Sequence, residues 1–344
     1  MIAISVLDQA PRRAGGPPGH ALRDALTLAR HVDGLGFRRY WVAEHHAFAA
    51  VSIAAPEVLI AHIADATVHL RVGSGGVLLP NRRPLHVAEQ FCTLEALHPG
   101  RIDLGVGRSE GALDPPTVQA LGRPQDTAHG PGYDRQLDEL LAFGGVRPLP
   151  PDDPLATVRA VPTDIRLPPV TLLGSTADSA RTAARRGLAY AFASHTNPDM
   201  AAPALLEYRE RFVPQREGDE PYAMLAIKVT VGEDDAHGEA LAAPWHLAMV
   251  RQRAGFGEPL VPVEEALAHT WTDEERRAEE LVDVRADAVG GPERVRSRLL
   301  EMARAAQADE IFAITNTYDL ADRLASYERL AAVMGLVPQA TAAR

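Results

Sequence analysis

Eight short apolar runs, each ending in small or polar residues and separated by stretches long enough for helices, constrain this chain more than any other feature. The runs are MIAISVL (1–7), RYWVA (39–43), LRVGSGGVLL (70–79), RIDLGVG (101–107), PVTLLG (169–174), LAYAFAS (188–194), YAMLAIKVTV (222–231) and EIFAITN (310–316). Most are continuously apolar rather than alternating, as in parallel strands covered on both faces. Helical spacing of apolar residues fills 19–36, 55–67, 84–97, 176–187, 198–212, 291–307 and 319–335. Pro84, Pro198 and Pro292 stand at helix starts, where the missing N–H is no loss. This alternation predicts an α/β fold, a TIM-like (β/α)8 barrel, with a doubly wound open sheet as the other arrangement. The 344 residues read as one barrel domain, 1–344, without a linker. Two stretches break the rhythm, 110–168 and 254–290. They read as insertions after strands four and seven, which a barrel places on its active face.

Composition narrows the partners. A formal charge of −11 argues against nucleic acid or an anionic membrane as a partner. The single cysteine, Cys92, excludes an intrachain disulfide and any multi-cysteine metal centre. Its setting, HVAEQFCTLEAL, is that of a helix interior. The opening MIAISVLDQAP has no basic region of the kind a signal peptide needs. No stretch reaches the ~20 apolar residues of a membrane span, so a soluble, cytoplasmic protein is expected.

The chemistry-bearing residues sit where strands end. YWVAEHH runs four apolar or small residues into Glu44, His45 and His46. An imidazole there can serve as a general base, because histidine titrates near neutrality, or as a satisfied core residue. A metal would need further ligands, with His195, Asp8 and Asp103 as candidates. Adjacent side chains diverge on a strand and no His-x-His spacing is present, so no metal site is expected. Asp103 is expected to pair with Arg101 or a neighbour.

GSTADSA (174–180) ends a strand in Gly174 and opens a helix with Ser175 and Thr176. Free backbone N–H groups and the helix dipole favour an anion there. The plain alternative is a cap, with Ser175 as N-cap and Asp178 as its reciprocal partner. Arg108, at the neighbouring strand end, adds a guanidinium suited to a phosphate. VGSGGV (72–77) places three glycines in a strand otherwise made of branched residues, which fits either a bulge or a flat ligand lying on the backbone. GVGRSEG (105–111) has the wrong spacing for a dinucleotide fingerprint.

These pieces together resemble the luciferase-like flavin-dependent monooxygenases, group 1 of the luciferase family oxidoreductases. The resemblance rests on ISVLDQAP (4–11), RYWVAEHH (39–46), the block 73–108, LLGSTADSA (172–180), LAYAFASH (188–195) and 309–328, and so spans nearly the whole chain. It implies a barrel, usually dimeric, that binds reduced FMN at its C-terminal face. It implies oxygenation of a small organic substrate with O2 through a C4a-peroxyflavin, with a separate flavin reductase supplying the reduced FMN. It places the catalytic imidazole at His45, with Glu44 beside it. It places a non-proline cis peptide under the flavin ring at Gly75–Gly76, and the phosphate on Arg108, Gly174, Ser175 and Thr176. Where luciferase carries a flavin-facing cysteine and an acid before the serine, this chain has Gly107 and Gly174. The other readings are F420-dependent hydride transfer on the same fold, a non-catalytic flavin-binding protein, and a metal-dependent hydrolase.

Overall fold

The computed structural model describes residues 2–109, 114–122 and 131–338. The apolar runs become strands β1 (Ala3–Asp8), β2 (Arg39–Val42), β3 (Arg71–Ser74), β4 (Val77–Leu78), β5 (Ile102–Gly107), β6 (Val170–Gly174), β7 (Ala189–Ala193), β8 (Ala223–Val231) and β10 (Glu310–Ile314). A three-residue strand, β9 (Ala288–Gly290), comes between the last two. Neighbouring strands pair in parallel, in the order β1, β2, β3, β5, β6, β7, β8. β10 pairs with both β1 and β8, which closes the sheet into a barrel. β3 and β4 are two halves of one predicted strand, parted by a cis peptide between Gly75 and Gly76. With β3 and β4 counted as one strand and β9 outside the ring, the barrel has eight strands. The open-sheet arrangement is thereby excluded.

Helices α1 (His20–Asp33), α2 (Pro56–Ala66), α3 (Pro84–Leu97), α5 (Pro131–Phe143), α6 (Ala177–Arg186), α7 (Pro198–Glu210), α11 (Pro292–Ala306) and α12 (Leu320–Met334) alternate with the strands, as in a (β/α)8 barrel. Between β5 and α5 lies the short α4 (Pro115–Ala120). No helix among the described residues is long and apolar enough to cross a membrane.

Both irregular stretches differ from expectation. The Pro- and Gly-rich 110–168 contains α5, whose Tyr133, Leu137, Leu140 and Leu141 are buried at helical spacing. The later insertion begins before 254, with α8 (Asp235–Arg253), and continues through α9 (Val263–Leu267) and α10 (Asp273–Glu279) to β9. Pro244 lies inside α8, which masks the helical signal in the sequence. The return strand β9 pairs in parallel with the C-terminal end of β8, fixing the insertion over the barrel mouth.

The opposite end is closed by charge. Asp103 accepts from Arg39 at 2.6 Å, Arg71 at 2.6 Å and Trp41 Nε1 at 3.1 Å. Glu310 accepts from Arg39 Nε at 3.1 Å and the Tyr222 hydroxyl at 2.8 Å. The expected partner Arg101 turns outward and donates to the carbonyls of Ala64 and Thr67 near the end of α2. Buried carboxylates need such donors, because desolvation otherwise costs several kcal/mol per ion.

Candidate active site at the barrel mouth

The residues after the strand ends converge on a cavity of about 330 Å³. It is lined by Gln9 after β1, His45 and His46 after β2, Ser109 after β5, His195 after β7, and Lys228 on β8. Trp245 and Met249 of α8 roof it. A second cavity, of about 510 Å³, adjoins it and shares Lys228, Trp245, Met249 and Val282.

The two adjacent histidines part company. His46 Nε2 lies 2.9 Å from Glu44 Oε1. Glu44 is buried and also accepts from the Leu78 N–H at 3.0 Å and Arg82 Nη2 at 3.0 Å. It therefore knits the end of β2 to β4, behind the cavity wall, and does not line the cavity. His45 instead stacks edge-on with Phe48, centroids 5.8 Å apart, and Phe48 meets Trp245 the same way at 6.2 Å. Its Nδ1 is buried without a hydrogen-bond partner among the described residues.

His195 Nδ1 is likewise buried and unpartnered among the described residues. Burial depresses the His45 imidazole to about 4, with His46 adding to it. Burial depresses His195 to about 3, aided by Lys228. Both rings are therefore neutral at physiological pH, and each offers one N–H donor and one acceptor nitrogen to a ligand. Among the described residues no group of three or more His, Cys, Asp or Glu side chains could hold a metal ion. Asp8 is fixed by Arg323 at 2.5 Å and Asp103 by the arginines above.

The anion cradle forms next to the mouth. Arg108 donates to Asp178 Oδ2 at 2.6 Å and to Thr176 Oγ1 at 2.8 Å. The expected cap is shifted by one residue. Thr176 is the N-cap and Ser179 its reciprocal partner, while Ser175 lends its carbonyl to Asn197. Gly174 is needed for that cap, since a Cβ there would lie 2.1 Å from Ser179 Oγ. Against the cradle lies a cavity of about 100 Å³, lined by Arg108, Tyr133, Asp178, Ser179 and Arg185. The Tyr133 hydroxyl is buried there with no partner among the described residues, and burial keeps it protonated. A donor without an acceptor beside two arginines suits a phosphate.

Gly75 and Gly76 carry the cis peptide. A Cβ on Gly75 would strike Leu7 Cδ1 at 2.6 Å, and one on Gly76 the Gly105 carbonyl at 2.8 Å. Backbone packing inside the barrel thus demands glycine at Gly76, whereas at Gly75 the crowding comes from the side chains of Leu7 and Trp41. At Gly107 the nearest atom of the described residues to an added Cβ is Leu78 Cδ2 at 3.7 Å, so they leave space there.

His195 and Asn316 end their strands, where the sequence pattern put polar groups. Lys228 was missed, although it is the sole charge in YAMLAIKVTV and so carried a readable signal. Asp287 and Trp245 lie in the insertion and show no motif.

Fold and mouth define a TIM-barrel protein with a histidine-lined, ligand-sized cavity and an anion cradle at its rim. The family model of the luciferase-like monooxygenases matches residues 2–310, and the chain belongs to that family. It is 39% identical over 327 residues to a luciferase-like monooxygenase of Escherichia coli K12, covering 95% of each chain. The crystal structure of apo-MsnO8 superposes with a TM-score of 0.89 at 38% identity, covering 98% of this chain and 100% of that one. More distant structures share the fold alone. An FMN complex of the oxygenating constituent of 3,6-diketocamphane monooxygenase from Pseudomonas putida has a TM-score of 0.71 at 17% identity, covering 96% of this chain and 97% of that one. An F420-dependent secondary alcohol dehydrogenase with an F420–acetone adduct has 0.64 at 14%, covering 96% and 98%.

Proposed function

We propose that this chain is an FMN-dependent monooxygenase that uses reduced FMN and O2 to oxidise a small organic substrate. The observation that carries the reading is the pairing, at one barrel mouth, of the Arg108–Thr176 cradle with a cavity bearing the unpartnered Nδ1 atoms of His45 and His195. Bound reduced FMN would supply the electrons that activate O2. Arg108, Thr176, the start of α6 and the Tyr133 hydroxyl would hold its phosphate. Gly75, Gly76 and Gly107 leave backbone, without side chains, where a flat ring would rest.

On this reading His45, neutral and facing the cavity, moves or holds a proton at its Nδ1. Glu44 positions the block through His46 and Arg82. Trp245 and Met249 of α8 cover the mouth and keep water from it. A separate flavin reductase supplies the reduced cofactor. The chain works as a homodimer through α2 and α3, where Val58 and Leu97 stay exposed.

The test is rapid mixing of protein loaded with reduced FMN against O2. A transient absorbance distinct from both oxidised and reduced FMN is expected, and its decay should change sharply in His45→Ala. Direct oxidation without a transient, or preferential binding of F420 over FMN in a parallel titration, would sink the reading.

A further inference from the structure

The 510 Å³ cavity lies beneath α8, against β8, β9 and β10. Its walls are mostly apolar, with Ala243, Val289 and Ile314 among them. Three polar atoms inside it lack a hydrogen bond among the described residues, although Lys228 and Asp287 form a long ion pair. The Lys228 ammonium makes no hydrogen bond among the described residues, and its nearest anion, Asp287 Oδ2, is 3.8 Å away, beyond hydrogen-bond reach. Asp287 Oδ1 is buried and accepts nothing from the described residues. Asn316 Oδ1 is also buried and accepts nothing from the described residues, its amide nitrogen being turned to Gln9 at 2.7 Å.

The surrounding charges are already committed. Asp283 is held by Arg285 at 2.6 Å, His246 by Glu279 at 3.1 Å, and Arg294 by Glu239 at 2.7 Å. What remains is a cation in need of an acceptor, next to two acceptors in need of donors. A carboxylate alone would leave the acceptors empty. An amine alone would leave Lys228 bare. A hydroxyl brings one donor and no charge. Adjacent ammonium and carboxylate groups complement all three, with several N–H donors for two oxygens and charges that mirror the Lys228–Asp287 pair.

We propose that this cavity binds an α-amino acid with a bulky apolar side chain, its carboxylate on Lys228 and its ammonium on Asp287 and Asn316. The side chain then lies along the apolar wall, toward the surface shared with the histidine cavity at Trp245 and Met249. The head-group site stands on this cavity's own side chains; that the tail is the part oxidised rests on the oxygenase reading above. Burial pushes the Asp287 carboxyl up to about 6 against the pull of Lys228 and His246, with Asp283 reinforcing it. It is thus ionised and competent for an ammonium at pH 7.5.

Calorimetric titration at pH 7.5, without FMN and again with FMN present, tests the site with three probes: L-phenylalanine, L-phenylalaninamide and N-acetyl-L-phenylalanine. The free amino acid should bind at least ten-fold more tightly than either derivative. Lys228→Met should erase the preference over the amide, and Asp287→Asn the preference over the N-acetyl form. Equal affinity for the three probes, or no binding by any, overturns the proposal on wild-type protein alone, whatever the variants' folding. Discrimination that survives both substitutions in folded variants overturns it too. Failure of FMN to bind would remove the oxygenase reading while leaving this preference measurable.

Discussion

Arg108 and Asp178 form a 2.6 Å ion pair across the start of α6, so the guanidinium that faces the anion cradle is already bound to a carboxylate. A phosphate must share Arg108 with Asp178 or displace it. Asp178 is 57% exposed and gives up the contact at little cost. Arg108→Ala should therefore weaken FMN by about 1.5–3 kcal/mol, the range for charge-assisted hydrogen bonds, and leave riboflavin unchanged. Tyr133→Phe should act in the same sense and more weakly, whereas Asp178→Asn should tighten FMN. Titrations of FMN and riboflavin against each variant read this directly. Parallel losses for both ligands would show that Arg108 does not touch phosphate.

His45 and His195 make the fold acid-sensitive. Both imidazoles are held below their ordinary value, to about 4 and about 3, chiefly by burial. A histidine depressed in the fold contributes stability that is fully present above its unfolded value near 6.5. That stability is lost as pH falls through the folded values. At 1.36 kcal/mol per pKa unit, and with partial exposure of both rings, each contributes about 2 kcal/mol. Urea unfolding at intervals from pH 7 to pH 4 should show stability falling, and His195→Gln should flatten the fall. An unchanged slope in His195→Gln would place the acid sensitivity elsewhere.

Much of this was legible in the sequence because burial on both faces leaves an unbroken apolar run. Strand positions, the closing β10 and the polar strand ends follow from that pattern. The cap at α6 was misplaced by one residue because serine and threonine are equivalent caps, and only the rotamers show Thr176 reaching Ser179. α5 was hidden by the Pro- and Gly-rich sequence around it, though Leu137, Leu140 and Leu141 kept helical spacing. α8 was hidden by Pro244 and by an almost even spread of apolar residues around its surface. The Lys228–Asp287 juxtaposition joins positions 59 apart through the β8–β9 pairing, which no local pattern encodes.

Two glycines of β5 should respond oppositely to alanine. At Gly105 an added Cβ would lie 2.1 Å from the Ser74 carbonyl oxygen and 2.8 Å from Leu173 Cδ1. Strand backbone cannot yield that far, so Gly105→Ala should cost about 3 kcal/mol or more, as overpacking in a rigid core does. At Gly107 the added methyl meets, among the described residues, only Leu78 Cδ2 at 3.7 Å, an ordinary contact. Gly107→Ala should keep the melting temperature within a few degrees and change FMN affinity, because its methyl enters the open space at the mouth. Thermal unfolding with FMN titration separates the two. Equal destabilisation would mean that the space at Gly107 is filled by protein.

Arg323 is the largest test of the buried charges. It is almost wholly enclosed, donates to Asp8 Oδ1 at 2.5 Å and to the Thr315 carbonyl at 2.7 Å, and so ties α12 to β1 and to the end of β10. Tyr40 donates its hydroxyl to the other oxygen of Asp8. Removing the guanidinium leaves a carboxylate with its cation gone in a medium that cannot solvate it. Arg323→Met should then cost about 3–5 kcal/mol, the usual penalty for breaking one side of a buried pair. The double variant Asp8→Asn/Arg323→Met should recover a large part of that loss, because the stranded charge is gone while Asn still accepts from the Ala10 N–H, which Asp8 Oδ1 binds at 2.7 Å. Guanidinium unfolding of both single variants and the double variant measures the coupling. Additive losses would show that the pair is not a unit, and that α12 is held by packing around Tyr327 and Leu330 instead.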